Sequence, residues 1–379
     1  MKSFYSKDFR IGLLGGGQLG RMFIQDATNY DVRISVLDPA ADAPCSKLAF
    51  EFTQGDFADY ETVLNFGRGK NVITIEIEHV NVEALEKLEN EGVLVYPKPS
   101  FLRMVKDKGL QKEFYKKNQI PTASFSLING IDDLDGSIQM PFIQKMRTGG
   151  YDGKGVQAIR TVEDLEKAFD VPSVIEEMVD FEKEIAIIIA RNPSGGIVVF
   201  PAVEMEFNPE ANLVEFLFSP ANIDQTIEKK ALDIATKIAE LSDFVGILAI
   251  EMFVTKSGDV LVNEMAPRPH NSGHHTIEAC VTSQYEQHMR AILDLPLGNT
   301  RLIEPAVMVN LLGEKGFSGP VKYEGLDELM STPGVHVHLY GKTVTKPFRK
   351  MGHVTVCSPD LKTAQDLARK ALKTIRVVA

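Results

Sequence analysis

The chain has 379 residues, of which 44% are hydrophobic and 25% charged, and this length predicts two or three domains rather than one core. Its net charge of −11 argues against nucleic acid or an anionic membrane as a main partner, because both attract basic proteins. Three scattered cysteines without a C-x-x-C pair suit a reducing cytoplasm and give no zinc signature. We therefore expect a cytoplasmic protein that acts on small molecules.

The first predicted element is a strand that runs into a glycine-rich turn. Residues 11–14 are apolar and lead into GGGQLG (15–20), which a helical pattern follows from Arg21, and a second strand over 33–37 ends at Asp38. Glycines at 15, 17 and 20, with an acid 18 residues after the last, fit the dinucleotide-binding fingerprint. Any anion can bind at a helix N-terminus opened by glycines, so this match alone is weak.

The following segments complete an N-terminal α/β domain and begin a second one. A strand over 72–75, a helix over 82–88 and a strand over 93–96 close the first domain near Pro97. The basic segment 102–117 predicts one helix. A strand over 141–145 then carries Lys145 into RTGGYDGKG (147–155), whose glycines allow a mobile loop to fold its amides over phosphates. The loop lacks the G-K-[ST] ending of a Walker-type site.

Two carboxylates are predicted to meet in a later hairpin. Strands over 174–179 and 184–189 and an amphipathic helix over 223–241 precede a strand over 246–254, which carries Glu251 among apolar neighbours. A turn at 256–259 joins it to a strand ending at Glu264, so the two glutamates can approach each other. Paired carboxylates suit magnesium; the alternative, two solvent-facing glutamates, is disfavoured by the apolar residues around Glu251.

The segment NEMAPRPHNSGHH (263–275) has the highest density of functional groups in the chain. It combines a carboxylate, two amides, a guanidinium and three imidazoles, and Pro267 and Pro269 stiffen the backbone around Arg268. A polar loop at a strand end is where α/β proteins place chemistry; the alternative is a surface loop with a helix cap at Ser272. After about residue 305, short strands and a helix over 361–375 enclose a basic stretch with FRKMGH (348–353), for which a solvated hairpin is the alternative.

The blocks GGGQLGRM (15–22), RTGGYDGKG, NEMAPRPHNSGHH and FRKMGH resemble the ATP-grasp superfamily and, within it, the 5-(carboxyamino)imidazole ribonucleotide synthetases of purine biosynthesis. The resemblance implies an α/β fold with a Rossmann-like pre-ATP-grasp domain (1–105), an ATP-grasp domain (106–300, lid about 122–180) and a C-terminal domain (301–379). It also implies the reaction. ATP phosphorylates bicarbonate, and carboxyphosphate or carbon dioxide released from it carboxylates the amine of aminoimidazole ribonucleotide.

The resemblance further implies a role for each matching residue. The implied ATP contacts are Lys108, Lys145, Gly150, Tyr151, Asp152, Gly153, Lys154, Gly155, Glu176, Glu177, Val179, Glu184, Asn263 and Glu264. The implied ribonucleotide and bicarbonate contacts are Gly17, Gln18, Tyr151, Asp152, Arg268, His270, Asn271, Lys342 and Arg349. Arg268, Asp152 and His270 would be catalytic, and Glu251 and Glu264 would hold two magnesium ions. A homodimer in the cytoplasm is also implied.

The chain departs from the family pattern at a few positions, and other functions stay open. Phe207 stands where the family usually has a histidine, Met205 where it has an asparagine, and Lys108 where arginine is more common. The alternatives are a formate-dependent glycinamide ribonucleotide transformylase or another ATP-grasp ligase, a dinucleotide-dependent oxidoreductase, and a catalytically silent ATP-grasp binding protein. His274 and His275 have no predicted role.

Overall fold

A computed structural model describes residues 4–134, 138–150, 155–208, 210 and 213–379. Its first layer is a parallel sheet that contains five strands in these residues, in the order β3-β2-β1-β4-β5. They are β1 (Ile11–Leu14), β2 (Ile34–Asp38), β3 (Glu51–Gln54), β4 (Val72–Ile75) and β5 (Leu94–Val95). The helices of this layer are α1 (Gln18–Thr28), α2 (Tyr60–Gly67) and α3 (Val82–Asn90). Because strand order reverses between β1 and β4, the residues that follow these two strands meet at a topological switch point.

Two helices then lead away from the first layer. They are α4 (Pro99–Lys106) and α5 (Lys108–Lys117), so the single helix predicted over 102–117 is wrong. The break lies at Asp107, which has extended backbone angles and whose side chain accepts hydrogen bonds from the amides of Gly109 and Leu110. An aspartate that caps a helix satisfies amides that an uninterrupted helix would not leave open.

A small antiparallel sheet follows, with the order β6-β9-β7-β8. Its strands are β6 (Phe125–Ile128), β7 (Phe142–Met146), β8 (Val156–Ile159) and β9 (Ser173–Glu177), with short 3₁₀ turns at Ile131–Asp133 and Val162–Lys167. Ile128, Phe142, Ile159 and Ile175 form its buried cluster. The predicted site residues Tyr151, Asp152, Gly153 and Lys154 lie outside the described residues.

The largest sheet joins the centre of the chain to its C-terminal part. In the described residues it has nine strands, in the order β15-β14-β10-β12-β13-β16-β21-β19 with β11 beside β10. They are β10 (Phe181–Arg191), β11 (Ile197–Val199), β12 (Val203–Asn208), β13 (Leu213–Ser219), β14 (Gly246–Thr255), β15 (Val260–Ala266), β16 (Ala306–Leu312), β19 (Val335–Leu339) and β21 (Lys350–Cys357). Since strands before and after residue 301 pair in one sheet, the C-terminal part is continuous with the centre.

Helices cover this sheet and apolar faces set their positions. They are α6 (Gln225–Leu241), α7 (Thr276–Ala279), α8 (Gln284–Ile292), α9 (Leu326–Met330) and α10 (Leu361–Thr374); a 3₁₀ turn spans Asn271–Gly273, and the short strands are β17 (Gly319–Pro320), β18 (Lys322–Glu324), β20 (Val344–Thr345) and β22 (Arg376–Val378). On α6, Ala231, Ala235 and Ile238 are buried at helical spacing. In the part of the chain that the structure describes, none of the helices has the length and apolar character needed to cross a membrane.

Helix α8 connects the first layer to the large sheet. Its buried His288 lies with Nε2 2.9 Å from Thr74 Oγ1 of β4, while Nδ1 accepts from the amide of Ile247 on β14 at 3.3 Å. Near its N-terminus, the amide of Glu286 donates to Asp26 of α1 at 3.1 Å. These polar contacts lie beside apolar packing of Tyr285 and other α8 residues against the first layer. The helix therefore holds the loop that precedes it close to both domains.

Candidate active site

Glu251 and Glu264 occupy opposite positions on β14 and β15, as the predicted hairpin implied. The strand predicted to end at Glu264 continues to Ala266 as β15, so the polar loop begins two residues later. The Glu251 side chain is 16% exposed and that of Glu264 is 44% exposed. One member of the pair is thus enclosed and the other borders the cleft.

The charges around this pair are unequal. Lys108 Nζ lies 2.7 Å from Glu264 Oε2, and this ammonium group lowers the pKa of Glu264. Burial, together with the adjacent Glu264, raises the pKa of Glu251. Burial also raises the pKa of Glu184, on the neighbouring strand β10, to about 7. Two adjacent carboxylates cannot easily be charged together, so a bound cation would stabilise the charged form of both.

A second cluster lies behind the pair and is almost fully buried. The carboxylate of Glu176 lies between Lys145, at 3.1 Å, and Lys112, at 3.3 Å. Lys145 Nζ also donates to Asn263 Oδ1 at 2.8 Å, which brings these two predicted ATP contacts together. The ion pair with Glu176 therefore holds the Lys145 ammonium group beside Asn263. Lys112 was not predicted, although it follows Lys108 by four residues on α5 and therefore shares its helix face.

The carboxylate pair fits magnesium through its donor chemistry. Within the described ranges, no group of three or more His, Cys, Asp or Glu side chains is arranged to enclose a metal by itself. Magnesium usually takes one or two carboxylates and completes its shell with water and substrate phosphates. Glu251 and Glu264 match that pattern better than they match an all-protein cage.

The loop after β15 contacts the first layer through Arg268. Its Nε lies 2.9 Å from Glu78 Oε1, just beyond β4, and its Nη1 donates to the Pro269 carbonyl at 3.1 Å. His270 Nε2 lies 3.8 Å from Glu251 Oε1, and burial lowers the pKa of His270 to about 3, so the ring is neutral at pH 7. Both amide atoms of Asn271 are buried without a hydrogen-bond partner among the described residues. The segment therefore carries an enclosed cation, a neutral imidazole and an unsatisfied amide.

The glycine turn after β1 is already occupied by carboxylates of the protein. The Gly16 amide donates to Asp38 at 2.7 Å, and the amides of Gly17 and Gly20 donate to Glu76, which follows β4. A Cβ at Gly17 would come within 2.6 Å of Glu76 Oε1, which explains the glycine. These amides cannot also hold a pyrophosphate, so the turn is a poor dinucleotide site. A contact of the predicted Gly17 with substrate would have to use another atom; Gln18 begins α1 beside it.

The predicted basic pair, Lys342 and Arg349, lies in the connection between β19 and β21. Lys342 Nζ donates to the carbonyl of Lys350 at 2.6 Å, and Arg349 donates to the carbonyl of Val344, so each cation reaches across the same loop. A Cβ at Gly341 would lie 3.2 Å from Arg21 Nη1. Arg21 is thus a further cation here. Sequence reasoning missed it, although it belongs to the first motif, GGGQLGRM.

The two histidines without a predicted role, His274 and His275, are both buried. His274 stacks on His353 with 4.7 Å between ring centroids, and the Tyr285 hydroxyl lies 3.0 Å from His274 Nδ1. Burial lowers the pKa of His274 and that of His275, the latter to about 4, so both rings are neutral at pH 7. The stack of His274 on His353 packs the loop against β21.

Two of the three departures from the family pattern, Met205 and Phe207, have a packing role. Both belong to one apolar cluster with Leu217 and Met308.

The remaining predicted ATP contacts lie near the small sheet. The amide of Glu177 donates to Ser124 at the end of β9, Val179 follows that strand, and Gly150 and Gly155 flank the residues outside the description.

Three domain families match the chain in sequence. They are the ribonucleotide synthetase preATP-grasp domain (residues 9–106), the ATP-grasp domain (113–285) and the phosphoribosylaminoimidazole carboxylase C-terminal domain (306–367). The crystal structure of N5-carboxyaminoimidazole ribonucleotide synthetase from Thermotoga maritima is 44% identical, with a TM-score of 0.91, and the match covers 98% of this chain and 99% of that one. The chain belongs to this family.

Two other members show how the family varies in length and in bound ligand. The chloroplastic phosphoribosylaminoimidazole carboxylase of Vigna aconitifolia is 38% identical over 370 residues, which are 94% of this chain and 65% of that protein. The chain therefore spans about two thirds of the length of that carboxylase. The synthase structure from Aspergillus clavatus, in complex with ADP and 5-aminoimidazole ribonucleotide, is 30% identical with a TM-score of 0.89 and covers 97% of this chain and 98% of that one. The predicted α/β ATP-grasp architecture is confirmed.

Replacing Glu251 by glutamine should stabilise the ligand-free protein and abolish its stabilisation by magnesium and ADP. Because the folded state raises the pKa of Glu251, it holds that proton more tightly than the unfolded chain, and stability is lost as the pH rises through the folded pKa. A neutral amide escapes this loss. The melting-temperature advantage of Glu251→Gln should therefore grow between about pH 5 and about pH 8.

Glu240→Gln, at an exposed position on α6, is the matched control. It should melt like the wild type at every pH and keep the response to magnesium and ADP. An unchanged melting curve for Glu251→Gln, or an undiminished ligand response, would contradict the assignment of the pair.

Proposed function

We propose that the chain catalyses ATP-dependent carboxylation of 5-aminoimidazole ribonucleotide with bicarbonate. The products are N5-carboxyaminoimidazole ribonucleotide, ADP and phosphate, a C–N ligase step in purine (IMP) biosynthesis. One observation carries the proposal. The strand that presents Glu264 to Glu251 leads within four residues to Arg268, and then to His270 beside Glu251. A single stiff segment thus borders both a phosphate-binding region and a region for an anion and its acceptor.

One half of the proposed site binds ATP. Lys108, Lys145 and Asn263 are the contacts for the phosphates, with Gly150–Gly155 as the covering loop. Glu177 and Val179 would contact the adenine by their backbones, and Glu184 the ribose hydroxyls. Glu251 and Glu264 would hold two magnesium ions, which neutralise phosphate charge when bound. The short distances among Lys108, Glu264, Lys145 and Asn263 support this assignment.

The other half binds bicarbonate and the ribonucleotide. Arg268 can offer a guanidinium fork to bicarbonate and carboxyphosphate. Neutral His270 and the unsatisfied amide of Asn271 are contacts for the acceptor, with Tyr151 and Asp152. We assign the 5′-phosphate to Lys342, Arg349 and the adjacent Arg21, with Gly17 and Gln18 lining the cleft. A ring with so low a pKa is a weak base, so His270 would orient the amine.

The reaction has two displacements. A bicarbonate oxygen attacks the γ-phosphorus of ATP, ADP leaves with the electrons of the broken P–O bond, and carboxyphosphate forms. The amine nitrogen then bonds to the carboxyl carbon of this intermediate, or of carbon dioxide released from it, and phosphate leaves as the amine loses a proton. Positioning and charge neutralisation supply the catalysis. Water must be kept from the intermediate, which is the proposed task of the 150–155 loop.

The proposal extends to assembly and location, and it excludes one alternative more firmly than another. Two magnesium ions, a homodimer and a cytoplasmic location belong to it because the family resemblance implies them.

A dinucleotide-dependent oxidoreductase is disfavoured because Asp38 and Glu76 occupy the glycine-turn amides. A glycinamide ribonucleotide transformylase shares the ATP half of the site and differs in the acceptor half.

The deciding assay measures ADP formation by the purified chain with two substrate pairs. Aminoimidazole ribonucleotide with bicarbonate should support turnover, because a synthase of the same family has been solved in complex with ADP and 5-aminoimidazole ribonucleotide. Glycinamide ribonucleotide with formate should give only background ADP. Turnover with the second pair alone would overturn the proposed function, as would tight NADH binding without any thermal shift by ATP.

Replacing Arg268 by alanine should lower kcat by about 10²- to 10³-fold, as the loss of a group that stabilises developing charge in a transition state does. The affinity for magnesium and ADP should stay unchanged because Arg268 belongs to the bicarbonate half. Arg301→Ala, at an exposed position beyond α8, serves as the control for loss of one positive charge. Near-normal turnover of Arg268→Ala would refute the assigned role.

A further inference from the structure

Gln284, the first residue of α8, pairs with both backbone groups of His270. Its Nε2 donates to the His270 carbonyl at 2.8 Å, and its Oε1 accepts from the His270 amide at 2.9 Å. The side chain is fully buried. His270 follows Pro269 in an irregular segment, where no strand of the described residues bonds its backbone. The Gln284 carboxamide supplies both of these hydrogen bonds instead.

The clamp is itself held in place. The backbone N–H of Gln284 donates to Thr276 Oγ1 at 2.8 Å, and the Thr276 hydroxyl donates to the Gly273 carbonyl at 2.6 Å. A Cβ at Gly273 would overlap the Gln284 carboxamide, so only glycine allows the turn to close against it. The His270 carbonyl also accepts from the Gly273 amide at 3.0 Å. Each contact therefore fixes the turn that carries His270 to the start of α8.

We propose that Gln284 is a positioning residue for the acceptor amine. By fixing both peptide groups of His270, it sets the direction of the imidazole, whose Nδ1 lies 2.8 Å from Ser272 Oγ and whose Nε2 faces Glu251. This inference rests on the proposed function, because it assigns the acceptor to His270. Small displacements of a positioning group lower rates strongly, so an undirected His270 backbone should impair acceptor use.

The same helix offers a matched control. Gln287, three residues later, is also fully buried, and it pairs in the same way with Gly298: Nε2 donates to the Gly298 carbonyl at 2.8 Å, and the Gly298 amide donates to Oε1 at 2.8 Å. Gly298 lies in the loop after α8 and not in the candidate active site. The two glutamines thus share burial, a helix and a pair of hydrogen bonds to the backbone of one residue, and they differ in the residue that they bind. Gln284 Nε2 also lies 3.3 Å from His274 Nδ1.

The test compares Gln284→Met with Gln287→Met in the full chain. Gln284→Met loses two hydrogen bonds to His270 and a contact with His274, and Gln287→Met loses two hydrogen bonds to Gly298, so both variants should melt at lower temperature. Only Gln284→Met should also raise the KM for aminoimidazole ribonucleotide and lower kcat, by about 10- to 100-fold in kcat/KM, while the Kd for magnesium and ADP stays within about twofold of wild type. Gln284→Glu, which keeps the acceptor for the His270 amide and loses the donor, should be intermediate.

Equal kinetic losses in Gln284→Met and Gln287→Met would overturn the inference, since both would then report lowered stability alone. A loss of nucleotide affinity in Gln284→Met would also overturn it. If Gln284→Met does not fold, Gln284→Glu against Gln287→Glu gives the same comparison. A wild-type protein that forms no ADP with aminoimidazole ribonucleotide and bicarbonate would overturn the proposed function, and this inference with it.

Discussion

Glu251 and Glu264 lie opposite each other on β14 and β15, and because Glu251 is enclosed, the two carboxylates cannot easily both be charged without cations nearby. The surrounding lysines neutralise only one carboxylate of the pair. Lys108 neutralises Glu264, while Lys145 and Lys112 are engaged by Glu176. The charge of Glu251 therefore has to be neutralised by a cation that enters the cleft. A cation carried with a polyphosphate meets this requirement, and this links the folded charge pattern to the proposed ATP chemistry.

The two halves of the site are tied together by covalent continuity and by α8. One strand carries Glu264, and the segment that follows it carries Arg268 and His270, with buried prolines on both sides of Arg268. Arg268 contacts Glu78 of the first layer, and α8 contacts both Thr74 of that layer and Ile247 of the large sheet. The proposed bicarbonate region therefore lies where the first layer and the large sheet meet. Distances within the proposed ATP region are set inside the large sheet and by Lys108 and Lys145.

Local patterns in the sequence predicted more of this site than its long-range contacts. The Glu251–Glu264 pairing follows from a hairpin, and the strands around it follow from apolar runs, so both were predictable. Asp107 divides the helix predicted over 102–117 because its capping bonds outweigh the continuous periodicity. Glu76 on Gly20, and Gln284 on His270, join residues that are 56 and 14 positions apart, and neither pairing leaves a periodic signal. The predicted contacts at 151–154 lie outside the described residues.

The central claim is that ATP activates bicarbonate in this site, and oxygen transfer tests it most directly. Purified protein is given ATP, aminoimidazole ribonucleotide and ¹⁸O-labelled bicarbonate, and the phosphate released at early times is examined by mass spectrometry. If a bicarbonate oxygen attacks the γ-phosphorus, that oxygen stays on phosphate when the carboxyl group moves to the amine, so the phosphate carries one labelled atom. Phosphate without label, formed at the same rate as ADP, would show that water is the nucleophile and would contradict the account.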